Sequence, residues 1–240
     1  LLPFLTTNLW LLLQTSGSTG DPKVVQISSG GLLHFLRWAI PEIDLKATDT
    51  FAQLSSFSFD MFTLELFAPL LVGGAIAFPP AAASAFPASL HRWLGEKNVT
   101  ALYAVPTTIQ RISGVPRPLP HLRLLISAGD RFPDAALREI SARQKIQAWN
   151  FYGPTETNVC SSHRWSESSP VHTPIGSPIT ATEFLLQPVD GAPEGWQELL
   201  VSGPTVMAGY QGEHSGLREL NGKTYFPTGD LAKRAGDEYI

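Results

Sequence analysis

The sequence predicts an α/β protein: a layered, mostly parallel sheet with flanking helices, followed by a smaller β-rich subdomain, a distorted barrel. Three observations carry that expectation. Across the first two-thirds of the chain, short apolar runs alternate with stretches of helical spacing, the pattern of parallel sheets built from strand–helix–strand units. After about Trp165 the texture changes, with Pro174, Gly176, Pro178, Pro188, Gly191, Pro193, Gly195, Gly203, Pro204, Gly209 and Gly212 punctuating short β-like runs. Hydrophobic residues make up 43% and charged residues 16% of 240, enough apolar matter to bury a core. The expected division is 1–165 for the α/β part and 166–240 for the β-rich part.

The elements follow in order. Residues 9–14 read as a buried strand feeding a loop. The apolar start of the chain lacks the Met and basic flank of a signal segment, and Pro3 and Thr6-Thr-Asn8 interrupt it. Strands are expected at 50–54, 75–78, 101–105, 122–127 and 146–150, where short apolar runs are bounded by polar or turn residues. Helices are expected at 31–39, 62–71, 89–97, 107–112 and 134–144, with Ser89 and Asp134 as candidate N-caps. Residues 81–88, bracketed by Pro79-Pro80 and Pro87, read as a loop. In the β-rich part, 183–187, 198–201 and 224–226 are the strand candidates.

Composition narrows the partners. Net charge is −4, the isoelectric point is near 5.9, and no Lys/Arg stripe is present. Nucleic acid is therefore not an expected partner, whereas a nucleotide needs only a few local donors. No apolar run is long enough to span a bilayer, so no membrane partner is expected. One cysteine, Cys160, excludes an internal disulfide framework and fits a reducing cytoplasm. The six histidines, His34, His91, His121, His163, His172 and His214, show no pairing that suggests a triad or metal site.

The most informative stretch is Thr15-Ser-Gly-Ser-Thr-Gly-Asp-Pro-Lys23, directly after the first strand. Gly17 and Gly20 let the backbone turn tightly towards a ligand. Ser16, Ser18 and Thr19 offer hydroxyls to phosphate oxygens, and Lys23 adds a positive charge. Asp-Pro between Gly20 and Lys23, with no Ser or Thr after the lysine, distinguishes it from the loop of P-loop NTPases. On composition alone an ordinary Gly/Ser loop is the favoured reading, because loops of that composition are common.

That segment resembles the signature loop of the adenylate-forming superfamily. Further blocks stand in the family's order: Asn150-Phe-Tyr-Gly-Pro-Thr-Glu156, Pro174-Ile-Gly-Ser-Pro178, Glu198–Gly203, Gly209-Tyr210 and Tyr225-Phe-Pro-Thr-Gly-Asp-Leu231. The resemblance runs from about Leu9 to Leu231. It implies joining of a carboxylate to ATP, with release of pyrophosphate and transfer of the acyl group to a thiol. Thr15, Ser16, Gly17, Ser18, Thr19, Gly20 and Lys23 would then hold the β- and γ-phosphates. Tyr152 would lie against adenine, with Asn150, Gly153 and the backbone of Ala128-Gly129. Thr155 would contact the α-phosphate, Glu156 would hold Mg²⁺, and Asp230 would accept from the ribose hydroxyls. Taken singly, Tyr152 also reads as core packing and Asp230 as a turn residue.

Asp60, in Phe57-Ser-Phe-Asp60, resembles the aspartate that pairs with the substrate ammonium in the amino-acid-activating branch; it also reads as a helix cap. The same alignment implies a pocket lined by Met61, Leu64, Tyr103, Ile126, Ala128, Phe151, Val159 and Cys160. That series is similar to free-standing prolyl-AMP ligases, which implies proline or a close cyclic or small aliphatic substrate. The implied acceptor is a carrier protein bearing a phosphopantetheine thiol. An acyl-CoA or aryl-CoA ligase, or a catalytically incomplete nucleotide-binding fragment, are the alternatives. Val24 and Ser29 depart from the family's usual Gly and His, and the family's hinge and C-terminal lid would begin where this chain ends.

Overall fold

The computed structural model describes residues 9–15, 23–170, 173–212 and 216–240. In chain order they form β1 (Leu9–Thr15), β2 (Lys23–Ser28), α1 (Ser29–Glu42), β3 (Thr50–Ala52), α2 (Phe62–Val72), β4 (Ala75–Ala77), α3 (Ala81–Ala85), α4 (Pro87–Glu96), β5 (Ala101–Ala104), α5 (Pro106–Ser113), β6 (Leu124–Ser127), α6 (Asp134–Ser141) and β7 (Gln147–Tyr152). Only strands follow: β8 (Ser161–Trp165), β9 (Ser177–Pro178), β10 (Glu183–Gln187), β11 (Gln197–Ser202), β12 (Gly209–Tyr210), β13 (Arg218–Leu220), β14 (Lys223–Ala232), β15 (Arg234–Ala235) and β16 (Glu238–Tyr239). The change of texture near Trp165 is thus a change from mixed to all-β structure.

Compactness threads the chain differently. One unit takes in Leu1–Trp38, Tyr152–Ser162 and Ile175–Ile240, and the other Ala39–Phe151 and His163–Pro174.

The second unit holds the parallel strands, in the order β4-β3-β5-β6-β7. Tyr103 stands beside Ile126, and Ser127 beside Asn150, in the parallel registers. Every residue of β5 and β6 is buried, as expected for strands covered on both faces. Trp93 and Leu94 of α4, Ile109 and Ile112 of α5, and Leu137 and Ile140 of α6 pack with Leu102 and Leu125 of the sheet. Pro87 and Pro106 open α4 and α5 at the first helical position, where a missing N–H is harmless. Gly73, at φ 77°, ends α2 in a left-handed cap, its N–H on Leu70 O.

Asp49 ties this unit's edges together. Its buried carboxylate accepts from Arg123 Nε at 2.8 Å, Thr100 Oγ1 at 2.7 Å and the Lys46 amide at 2.7 Å. Arg123 Nη2 also bonds it. Burial pushes the Asp49 carboxyl up, but these donors pull harder, and the net is below the usual carboxylate range.

The first unit is built from antiparallel sheets: β1-β2-β12, β10-β11-β14-β13 and β15-β16. Leu13, Val25, Ile27, Met207 and Phe226 form one core cluster, and Cys160, Leu199, Val201 and Ala232 another.

Four expectations are corrected. Residues 9–14 are not a uniformly buried strand; β1 hairpins with β2, burying Leu13 while Leu9 and Leu12 stay exposed, because an antiparallel strand covered on one face alternates. Residues 81–85 are helical, since alanine favours helix and Pro80 precedes the first turn. Ser89 lies inside α4, which starts two residues earlier. Asp134 is the first residue of α6 rather than its cap, and its carboxylate accepts from Trp165 Nε1 at 3.1 Å and Thr173 Oγ1 at 2.6 Å.

Candidate active site

In the first unit the β1/β2 hairpin places Thr15 opposite Lys23. Of the expected phosphate-loop residues, Ser16, Gly17, Ser18, Thr19 and Gly20 lie outside the described residues; Thr15 and Lys23 frame them. The Lys23 ammonium sits over the ring of Tyr210, 5.0 Å from its centroid. Tyr210 is beside it on β12, paired with Val25 of β2. The Tyr210 hydroxyl donates to Glu156 Oε1 at 2.6 Å. Burial, and then the bond to Glu156, raise the Tyr210 phenol above its usual range, so it remains a neutral donor.

Glu156 comes from the turn after β7, whose shape its residues dictate. The Thr157 and Asn158 amides bond back to Pro154 O and Thr155 O, and Asn158 takes a left-handed φ of 49° that asparagine tolerates. A Cβ at Gly153 would stand 1.6 Å from Asn158 O, so only glycine fits there. The Met207 amide, donating to Glu156 O at 2.7 Å, anchors the carboxylate's backbone.

A second pair lies in the same unit. Tyr152 donates its phenolic hydrogen to Asp230 Oδ2 at 2.7 Å. Burial chiefly raises the Tyr152 phenol, with Cys160 and Asp230 adding to it. Asp230 is exposed, and its amide bonds Thr228 Oγ1 at 3.1 Å. Val159 and Cys160 are buried; burial pushes the Cys160 thiol up to about 12, leaving it an inert packing group.

In the second unit Tyr103, Ile126, Ala128, Gly129, Asn150 and Phe151 lie in the carboxyl-terminal halves of β5, β6 and β7 or just beyond them, where open α/β sheets place ligands. Asn150, buried in the second half of β7, donates Nδ2 to Pro174 O at 2.7 Å. Gly129, at φ 86°, turns the chain just beyond β6. Tyr103 and Phe151 meet edge to face, their centroids 6.1 Å apart. Leu64, Ile126 and Ala128 are buried, whereas Asp60 and Met61 are half-buried. The Asp60 carbonyl accepts from the Thr63 amide and hydroxyl, so its backbone opens α2. Burial lifts the Tyr103 phenol well above its usual range, and the charges of Asp60 and Glu65 push it further.

Glu65 and Tyr210 did not emerge as candidates from sequence reasoning. Glu65 is fully buried in α2, where it is the one charged residue of a mostly apolar helix. It accepts from the Ser55 amide at 3.0 Å, Ser55 Oγ at 2.9 Å and Gln53 Nε2 at 3.2 Å. Burial nonetheless lifts its carboxyl to about 7. A lone acid on a greasy helix was the available signal for Glu65; for Tyr210 it was the Gly209-Tyr210 block.

A family model described as AMP-binding enzyme matches residues 6–211. This chain belongs to the AMP-binding enzyme family. Within it, the chain is 37% identical to an L-proline--[L-prolyl-carrier protein] ligase of Streptomyces coelicolor, over 99% of this chain and 47% of that protein. It is 30% identical to an L-proline--[L-prolyl-carrier protein] ligase of Pseudomonas fluorescens, over 97% of this chain and 48% of the relative. Among solved structures, the Vibrio cholerae adenylation domain AlmE, in complex with glycyl-adenosine-5'-phosphate, superposes with a TM-score of 0.86 at 26% identity, covering 98% of this chain and 48% of that one. The chain thus spans about half the length of the curated relatives it matches. The α/β class expected from the sequence, here a large parallel-rich sheet with added antiparallel sheets, matches the fold of that adenylation domain. Among the described residues of this AMP-binding enzyme, no helix is long and apolar enough to cross a membrane.

Proposed function

We propose that this chain activates an amino acid with ATP, forming an aminoacyl-AMP and pyrophosphate for transfer to a carrier-protein thiol, and that the amino acid is proline or a close analogue. The observation that carries the reading is the meeting of Lys23, Tyr210 and Glu156 in one cluster, in a chain 37% identical to a prolyl-carrier-protein ligase. A substrate carboxylate oxygen attacks the α-phosphorus, the bond to the β-phosphate oxygen breaks, and pyrophosphate leaves. The attacking carboxylate is already ionised near pH 7, so no general base is needed. Positioning and charge neutralisation then supply the rate.

In the first unit, Lys23 with residues 15–20 would neutralise the departing phosphates, and Thr155 would contact the α-phosphate. Tyr152, with Gly153 behind it, would lie along the nucleoside, and Asp230 would accept from the ribose. The donor set suits magnesium. Among the described residues no group of three or more His, Cys, Asp or Glu could cage a metal, and Mg²⁺ characteristically takes one or two carboxylates plus phosphate oxygens. Glu156 would be that carboxylate, and the ion would add charge neutralisation on the phosphates. In the second unit, Asp60 would pair with the substrate ammonium, beside an apolar wall of Met61, Leu64, Tyr103, Ile126, Ala128 and Phe151, with Gly129 and Asn150 near the adenine. Val159 and Cys160 belong to the first unit, where Cys160 packs with Leu199, Val201 and Ala232. A lone buried thiol and the lack of a membrane-crossing helix among the described residues support a cytoplasmic setting.

Amino-acid-dependent exchange of labelled pyrophosphate into ATP tests this. The reading expects exchange with proline above glycine, phenylalanine and amine-free acids. Exchange driven best by benzoate or octanoate would overturn it.

A further inference from the structure

The residue that joins the two charges of the proposed phosphate site is itself uncharged. Tyr210 presents its ring face to the Lys23 ammonium and its hydroxyl to Glu156 Oε1, so one side chain engages both. Its backbone is fixed from each side: Ala208 N donates to Gln26 O and Gln211 N to Val24 O, both at 2.8 Å. Gly216 closes against the ring edge, where any Cβ would stand 2.5 Å from Tyr210 Cε2. The ring therefore has little room to turn. The contact with Tyr210 uses one oxygen of Glu156.

We propose that Tyr210 is a positioning residue for magnesium–nucleotide binding: it orients the Glu156 carboxylate towards the cation and holds the Lys23 ammonium apart from that carboxylate, so that both charges face phosphate rather than each other. This rests on the reading given under Proposed function. Tyr210→Phe keeps the ring and removes the tether to Glu156. Tyr210→Leu removes both contacts.

The test is calorimetric titration of ATP into the chain, with Mg²⁺ and with EDTA, for wild type, Tyr210→Phe, Tyr210→Leu, Glu156→Gln and the Tyr210→Phe/Glu156→Gln double variant, each checked by thermal melting. Tyr210→Phe is expected to weaken ATP binding about tenfold with Mg²⁺ and to leave binding in EDTA unchanged. In the Glu156→Gln background the same substitution should add little, because its effect runs through that carboxylate. Tyr210→Leu should weaken binding in EDTA as well, through loss of the Lys23 contact. Equal loss with and without Mg²⁺ in Tyr210→Phe, full additivity with Glu156→Gln, or no loss at all would each overturn the proposal. A wild-type chain that binds no ATP would instead overturn the underlying functional reading, and this inference with it.

Discussion

Tyr152 and Asp230, 78 residues apart in sequence, are joined by a 2.7 Å hydrogen bond from the phenol to Oδ2. The bond sets the orientation of an exposed carboxylate that otherwise relies on the Asp230 amide bonding Thr228 Oγ1. Tyr152→Phe should therefore reduce AMP affinity about threefold to tenfold, the worth of one hydrogen bond to a charged group. Asp230→Ala should cost more. Calorimetric titration of AMP checks both; an unchanged Tyr152→Phe would mean that Thr228 alone positions Asp230.

Glu65 makes stability fall with rising pH. Its carboxyl titrates at 4.5 in the free chain and at about 7 in the fold, so between those values the folded state holds the extra proton. The favourable contribution is complete below pH 4.5 and is lost as pH rises through 7, about 3 kcal/mol in all. Glu65→Gln mimics the protonated state and should remove that slope. Urea denaturation at pH 5 and pH 7 tests it: the wild type should lose stability relative to the variant, and parallel losses would contradict the assignment.

Asp49 acts with the opposite sign. Its folded value is lowered, so its contribution is present above the ordinary carboxylate range and lost as pH falls through the folded value. Asp49→Asn leaves Arg123 without its buried partner and should destabilise by about 3 kcal/mol at pH 7. The variant should also lose part of the wild type's acid-induced unfolding below about pH 4. Denaturation curves at pH 7 and pH 3.5 measure both effects.

Two glycines should answer oppositely to alanine. At Gly153 the added Cβ meets Asn158 O at 1.6 Å, so the turn presenting Glu156 must break, at about 3 kcal/mol or more. At Gly95, inside α4, the nearest atom would be Leu119 Cδ2 at 3.9 Å, and alanine should stabilise by about 0.5–1 kcal/mol. Thermal melting of the two variants, which should shift in opposite directions, decides.

Much of this was legible in the sequence, for physical reasons. Ala101–Ala104 and Leu124–Ser127 are short apolar runs because both sheet faces are covered, and the helices between them carry the period that packs against it. The partner of β1 was harder to see. Lys23–Ser28 mixes polar and apolar residues, and the strand it pairs with lies on the far side of residues 16–22 in sequence. Residues 81–85 read as loop because flanking prolines look like breakers, although Pro87 begins the next helix. Lys23, Tyr152, Glu156 and Asp230 stood out through motif order. The contacts among them did not, since Tyr210–Glu156 and Tyr152–Asp230 bridge 54 and 78 residues that no local pattern links.

The central claim is that this chain holds an aminoacyl-adenylate with an apolar side chain, its ammonium paired to Asp60. Binding of non-hydrolysable acyl-adenylate analogues tests it most directly, comparing prolyl, phenylalanyl, benzoyl and octanoyl forms on the wild type and on Asp60→Ala. The account predicts that the prolyl analogue binds the wild type most tightly and that Asp60→Ala loses this preference while still binding ATP. Preference for the benzoyl or octanoyl analogue, or a prolyl preference that survives in Asp60→Ala, would contradict it.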